Sequence, residues 1–308
     1  MRALFITTRT VDCANHVRAW DSFSPIPAEH FMFDHLGIRN DWQMIDAAEK
    51  IKPTVIFYIG AVKSLGTPKP DTFRALRKIA PLVNLCSDAA DTPWHPILNA
   101  YRKHQCFDLQ VAIDGKSKAN VDLATVTPVD PRPFEGEMTR DIRCGFSGTI
   151  GRWNVRSETI NALTWFGGLT VRAREGCGTY EDHARFMKRC RMLLNISFTG
   201  SQMTHHIKGR VLEAGWAGCA LLESEGSPIG DWFPADCYMI YRNPKEAAEI
   251  IATIDDAAVD GMAKRLAEEV RSKFHPAMIY GQILRDALGS GRGMIEPHVA
   301  DPVAAPAA

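Results

Sequence analysis

The chain has 308 residues, of which 45% are hydrophobic and 23% charged, and its formal net charge at pH 7 is zero with a pI near 7.1. This balance argues against nucleic acid or an anionic membrane as the main partner, and no apolar run reaches the roughly 18 residues that a transmembrane helix needs. The length predicts about two domains, each with its own core.

The amino-terminal part alternates between strand-like and helix-like segments. Short, β-rich apolar runs predict strands at 2–8, 30–33, 54–60, 82–86 and 107–113. Apolar periodicity and Asp or Pro start signals predict helices at 14–23, 41–50, 70–79 and 94–104. Strands that alternate with helices of roughly 10–15 residues indicate βαβ units in a parallel sheet.

A stretch rich in Pro interrupts this alternation at residues 127–137, with the sequence TPVDPRPFEGE. We interpret it as a linker between an amino-terminal domain at 1–130 and a carboxyl-terminal domain at 138–285. The second domain repeats the alternation, with strands predicted at 144–147, 169–173, 192–197, 220–223 and 238–241, and helices at 157–165, 180–189, 208–218, 244–254 and 262–274. The predicted fold class is therefore α/β, with two doubly wound, Rossmann-type domains facing a cleft.

The ends of the chain and its cysteines bear on location. Residues 1–8 are typical of a strand and not of a signal peptide, and the Pro- and Ala-rich tail at 298–308 is predicted to be disordered. The eight cysteines are scattered without a CxxC pair, which is typical of reduced thiols. We therefore predict a cytoplasmic protein.

One segment, from Asn195 to Glu223, joins a strand to a helix through a polar loop. A helix that starts at the carboxyl end of a parallel strand presents backbone N–H groups and a positive dipole end, which suits a phosphate. Lys208 and Arg210 add two cations there, and Glu213 follows on the same helix face. A carboxylate at that place can accept hydrogen bonds from ribose hydroxyls. The alternative is a solvated helix face with a weak ion pair.

The runs RVLEAGWAGCALL, GDWF, CYMIYRNPKEAAEII and KFHPAMIYGQIL resemble the carboxyl-terminal domain of GT-B glycosyltransferases. The nearest types are the group-one, family-four-like enzymes and their CgeB-like branch, and the resemblance covers about residues 143–284. It implies a GT-B fold whose last helix crosses back onto the first domain, with the donor on the carboxyl-terminal side and the acceptor on the other. It also implies that Glu213 binds the donor ribose and that Lys208 or Arg210 faces the diphosphate.

A glycine-containing turn follows the first strand of the second domain, with the sequence SGTIGR. Gly148 allows close backbone approach, and Arg152 has the forked geometry that binds phosphate. The spacing lacks the dinucleotide fingerprint, so an ordinary strand–helix turn is the alternative. The resemblance favours Gly148, Thr149 and Arg152 as donor-binding residues.

Three residues are candidates for catalysis. Asp88 follows the fourth strand on the cleft side, where a carboxylate can take a proton from an acceptor hydroxyl; helix capping in this stretch is the alternative. His16 follows the first strand, where inverting GT-B enzymes have a basic histidine; a surface histidine is the alternative. His205 stands eight positions before Glu213, where many retaining relatives have a second Glu.

His205 and its neighbour His206 are expected to contact the donor sugar or phosphate, and not a metal, because no third ligand follows at a useful spacing. A solvated loop is the alternative.

Together these features predict a glycosyltransferase that moves a sugar from a nucleoside-diphosphate sugar to an acceptor the sequence does not identify. No cofactor or bound metal is expected. The resemblance favours a retaining reaction, although the histidine at 205 departs from that pattern. Two alternatives stay open: a nucleotide-sugar epimerase or hydrolase, and a GT-B-like binding or scaffold protein without catalysis.

Overall fold

A computed structural model of the chain describes residues 1–8, 11–34, 36–60, 65–115, 121–150, 154–173, 178–198 and 204–289. The first sheet is parallel and contains β1 (Ala3–Thr8), β2 (Glu29–Phe33), β3 (Val55–Ile59), β4 (Leu82–Cys86), β5 (Leu109–Ala112) and β6 (Leu123–Ala124), in the order β2-β1-β3-β4-β5-β6. The helices of this half are α1 (Val11–Asp21), α2 (Asp41–Ile51), α3 (Pro70–Ile79) and α4 (His95–Lys103).

The second sheet is also parallel. It contains β7 (Ile142–Gly148), β8 (Thr170–Ala173), β9 (Cys190–Asn195), β10 (Ala220–Ser224) and β11 (Tyr238–Tyr241), in the order β11-β10-β9-β7-β8. Its helices are α5 (Val155–Trp165), α6 (Tyr180–Arg189), α7 (Gly209–Ala217), α8 (Pro244–Thr253), α9 (Asp256–Lys273) and α10 (Pro276–Gly289). Two doubly wound parallel sheets with interleaved helices confirm the predicted fold class.

The inner positions of β1, β3 and β4 in the first sheet explain their continuous apolar sequences. Residues of β1, β3 and β4 are buried throughout because helices cover both faces of a parallel sheet. In each sheet the first strand lies beside the third strand as well as the second, so the order reverses at β1/β3 and at β7/β9. Ligands of open α/β sheets bind at such points, outside the carboxyl ends of the strands.

Several element boundaries differ from the prediction. The helix predicted to start at 262 is α9 and starts at Asp256, because the Asp255 side chain accepts a hydrogen bond from the backbone N–H of Ala258. Helix α1 starts at Val11 and not at 14, and β9 ends at Asn195 and not at 197. Strand β6 was not predicted, since its two residues carry no periodic pattern.

The last helix, α10, lies against the first sheet. The fully buried Tyr280 donates a hydrogen bond from its hydroxyl to the backbone carbonyl of His16, at 3.0 Å. Its ring packs against Phe5, Trp20 and Phe57, with centroid distances of 5.4 to 6.2 Å. These contacts place α10 on the amino-terminal side. Within the described residues, every helix is too short or too polar to cross a bilayer.

Candidate active site

The carboxyl ends of β7 and β9 meet at the reversal point of the second sheet. Gly148 ends β7 with φ +144°, and Asn195 ends β9. A Cβ atom added to Gly148 would collide with the Arg210 guanidinium. The glycine therefore satisfies two needs, an unusual backbone angle and the close approach of a cation.

Arg210 is held firmly at this point. Its Nη1 donates to Asn195 Oδ1 at 3.1 Å, and its guanidinium lies 4.7 Å from the centre of the Phe146 ring. Arg210 is the second residue of α7, so it stands where the first turn of a helix presents backbone N–H groups. A fixed cation and a positive dipole end thus face the same place.

Lys208 occupies the N-cap position of the same helix. Burial lowers the pKa of its ammonium group to about 8, although the carboxylate of Asp88 acts to raise it. The Lys208 Nζ atom lies 3.9 Å from Asp88 Oδ1. Burial also lowers the pKa of Arg156, whose Nη1 donates to the backbone carbonyl of Thr149 at 3.0 Å. Three cations therefore converge on the turn after β7 and the start of α7.

Glu213 lies one turn along α7 and has 13% of its side chain exposed. The Tyr180 hydroxyl donates to Oε1 at 3.0 Å, and His183 Nε2 lies 3.2 Å from Oε2. Burial acts to raise the pKa of this carboxyl, but His183 and the other polar neighbours outweigh it and leave the pKa below its usual value. The group is therefore an anion at neutral pH, with both oxygens oriented.

Asp88 follows β4 and joins a small polar cluster across the cleft. It adopts φ +54°, a left-handed angle that is uncommon outside glycine. His206 Nδ1 lies 3.3 Å from Asp88 Oδ1 and 3.3 Å from Asp114 Oδ2, and the histidine is only 4% exposed. Asp88 thus connects the end of β4, in the first sheet, to the loop before α7.

The other two histidine candidates have different surroundings. His205 lies against the Phe198 ring, with centroids 3.9 Å apart, and its Nδ1 is 2.6 Å from Ser197 Oγ. Burial lowers its pKa. His16 is 4% exposed within α1. Arg152 lies outside the described residues.

The structure brings Gly148, Thr149, Lys208, Arg210 and Asp88 to one region, with Glu213 a turn away on α7. His183 and Tyr180 were not predicted. They stand three positions apart at the start of α6, on one helix face, but no local pattern indicates that this face meets α7. Within the described residues, no group of three or more His, Cys, Asp or Glu side chains is arranged to hold a metal ion.

Comparisons with known proteins agree with the fold. Anabaena HepE, in a structure with UDP and glucose, is 12% identical to the chain, with a TM-score of 0.65 over 94% of this chain and all of the other. Sucrose-phosphate synthase from Thermosynechococcus elongatus is 9% identical with a TM-score of 0.62, over 94% of this chain and all of the other. A glycosyltransferase from Rickettsia africae is 7% identical with a TM-score of 0.60, covering 94% and 99%. These likenesses define a GT-B fold.

A match to a known family lies in the second half of the sequence. Residues 137–285 match the model of the family described as "Glycosyl transferase-like". A search of curated protein sequences finds no match. The carboxyl-terminal half matches this family, and together with the GT-B fold of the whole chain this match supports a glycosyltransferase. The CgeB-like branch stays a prediction.

Proposed function

We propose that this glycosyltransferase takes its sugar from a nucleoside-diphosphate sugar bound at the carboxyl ends of β7 and β9, and that it does so without a bound metal. The observation that carries the proposal is the pair of cations, Lys208 and Arg210, at the start of α7 beside Gly148. The structural neighbours support it, since HepE is described with UDP, with UDP-glucose and with UDP and glucose. UDP is therefore the first nucleotide to test.

The chemistry follows from the charges. When the glycosidic bond to the donor breaks, negative charge grows on the departing diphosphate. The start of α7, Lys208 and Arg210 stabilise that charge in a partly buried place, where fixed donors act more strongly than in water. Each such donor is worth roughly 3–4 kcal/mol in the transition state. Cations of the protein thus take the role that a divalent metal has in other transferases.

The remaining site residues have narrower roles in the proposal. Glu213 accepts hydrogen bonds from the ribose. Asp88, with 36% of its side chain exposed, is the candidate acceptor-side base. His205 is the candidate contact to the donor sugar, at the position where many retaining relatives have a second Glu. His16 is buried, so it contacts a substrate only if the structure around it moves.

The test is release of nucleoside diphosphate from a panel of nucleotide sugars, with and without EDTA. Water replaces the unknown acceptor, so slow release is expected from at least one donor, unchanged by EDTA. Arg210→Ala should reduce that release at least about 100-fold. Arg265→Ala, which removes an exposed ion pair between α9 and Asp236, should not reduce it. Loss of release with EDTA would refute metal independence. Absence of release with every donor would refute the proposed donor class.

A further inference from the structure

Side chains of α6 contact both oxygens of the Glu213 carboxylate. On one side Tyr180 donates its hydroxyl to Oε1, and on the other the His183 ring faces Oε2. Behind the ring, His183 Nδ1 lies 2.8 Å from Ser147 Oγ, and Ser147 is only 1% exposed. Four side chains from three elements therefore form one continuous hydrogen-bonded row that ends beside Gly148.

The direction of these hydrogen bonds follows from the chemistry of the groups. An ionised carboxylate only accepts, so Nε2 of His183 carries the proton that faces Oε2. Nδ1 of the same ring lies within hydrogen-bond distance of the Ser147 hydroxyl, which can donate or accept. Each carboxylate oxygen offers about two acceptor sites. Among the residues that the structure describes, α6 occupies one site on each oxygen, and one remains for a ligand.

Aromatic and cationic side chains from both halves of the molecule pack against this row. The rings of Tyr180 and His183 stack with centroids 5.6 Å apart. Phe134 meets the edge of the Tyr180 ring at 6.0 Å, and the Arg18 guanidinium lies 5.7 Å above it. A carboxylate that is 13% exposed and held at both oxygens has little freedom to rotate, so its remaining acceptor sites point in fixed directions.

We propose that Tyr180 and His183, with Ser147 behind the ring, are positioning residues that aim the Glu213 carboxylate at the two ribose hydroxyls, and that they thereby set the preference for ribonucleotide over 2′-deoxyribonucleotide donors. The proposal rests on the proposed function, in which Glu213 binds the ribose. A ligand hydroxyl gains most from an acceptor that is already oriented, because little ordering remains to be done on binding.

The test compares the dissociation constants of UDP and 2′-deoxy-UDP by isothermal titration, or those of the tightest-binding nucleoside diphosphate and its 2′-deoxy form. A hydrogen bond to a charged group contributes roughly 1.5–3 kcal/mol, so the wild type should prefer the ribonucleotide by about 10- to 150-fold. Glu213→Ala should abolish the preference. Tyr180→Phe and His183→Phe should each reduce it at least about threefold.

Two controls separate positioning from general damage. His183→Gln keeps a donor for Oε2 and should retain more of the preference than His183→Phe. Arg185→Ala, on the exposed face of the same helix, should leave the preference unchanged. Tyr180→Phe removes one hydroxyl and keeps the ring, so it tests the proposal if His183→Phe does not fold.

The outcomes distinguish this inference from the function on which it rests. If Glu213→Ala keeps the wild-type preference, the ribose role of Glu213 is wrong and the inference falls with it. If Glu213→Ala loses the preference while Tyr180→Phe and His183→Phe keep it, the inference alone is overturned. If both nucleotides bind equally to the wild type, the preference itself is refuted.

Discussion

Raising the pH from 7 to 9 should weaken nucleoside diphosphate binding, because Lys208 loses its proton in that interval. Burial lowers its pKa to about 8, so the charged fraction in the free protein falls from about nine-tenths at pH 7 to about one-tenth at pH 9. If only the charged form attracts the diphosphate, the dissociation constant should rise about tenfold across that range.

Isothermal titration of UDP between pH 7 and pH 9 measures this change directly. Lys208→Arg is the matched variant, since a guanidinium stays charged throughout; its affinity should be nearly constant. Lys208→Met should bind weakly at pH 7 and also show no dependence. A wild-type slope that persists in Lys208→Arg would refute the assignment of the titration to Lys208.

The same shift affects stability with a definite sign. The folded-state pKa of about 8 lies below the ordinary value of 10.5, so between these values the unfolded chain binds more protons than the folded protein. The contribution of Lys208 to the free energy of unfolding therefore rises with pH from about 8 to about 10.5, by about 3 kcal/mol in total. Thermal unfolding of Lys208→Met should lack this rise.

Two glycine pairs test the packing at and near the site. Gly148→Ala should weaken UDP binding at least about tenfold by displacing Arg210. Gly167→Ala, at φ +78° with open space around it, should lower stability by roughly 1–2 kcal/mol and leave the UDP affinity unchanged. Equal UDP affinities of the two variants would contradict the role of Gly148. Gly215→Ala should destabilise by about 1–3 kcal/mol in urea unfolding, because its Cβ would collide with α9. Gly281→Ala, a helical glycine with its nearest neighbour at 3.5 Å, should instead be neutral or stabilising by up to about 1 kcal/mol; destabilisation of both by the same amount would refute the packing explanation.

The elements that position the site were predictable because their signals are local. The apolar run before Asn195, the polar loop and the periodic helix that carries Lys208, Arg210 and Glu213 all lie within one short segment. Parallel strands separated by helices have few topologies available. The carboxyl ends of the strands could therefore be assigned to the cleft without coordinates.

The surroundings of Glu213 could not be predicted in the same way. His183 is 30 positions away along the chain, and its contact depends on which strands are neighbours and on how α6 packs against α7. Asp88 and His206 are still further apart and meet only because the two sheets face each other. The first turn of α9 was missed for a different reason, since its capping residue precedes an exposed stretch without apolar periodicity.

The most direct test of the central claim is titration of the wild-type protein and Arg210→Ala with UDP, GDP, ADP and TDP in the presence of EDTA. We predict one site per chain for at least one nucleotide, and an affinity reduced about tenfold or more in Arg210→Ala, since a hydrogen bond to a charged group contributes roughly 1.5–3 kcal/mol. Arg265→Ala should match the wild type. Failure of all four nucleotides to bind, or equal binding by Arg210→Ala, would contradict a donor site at the ends of β7 and β9.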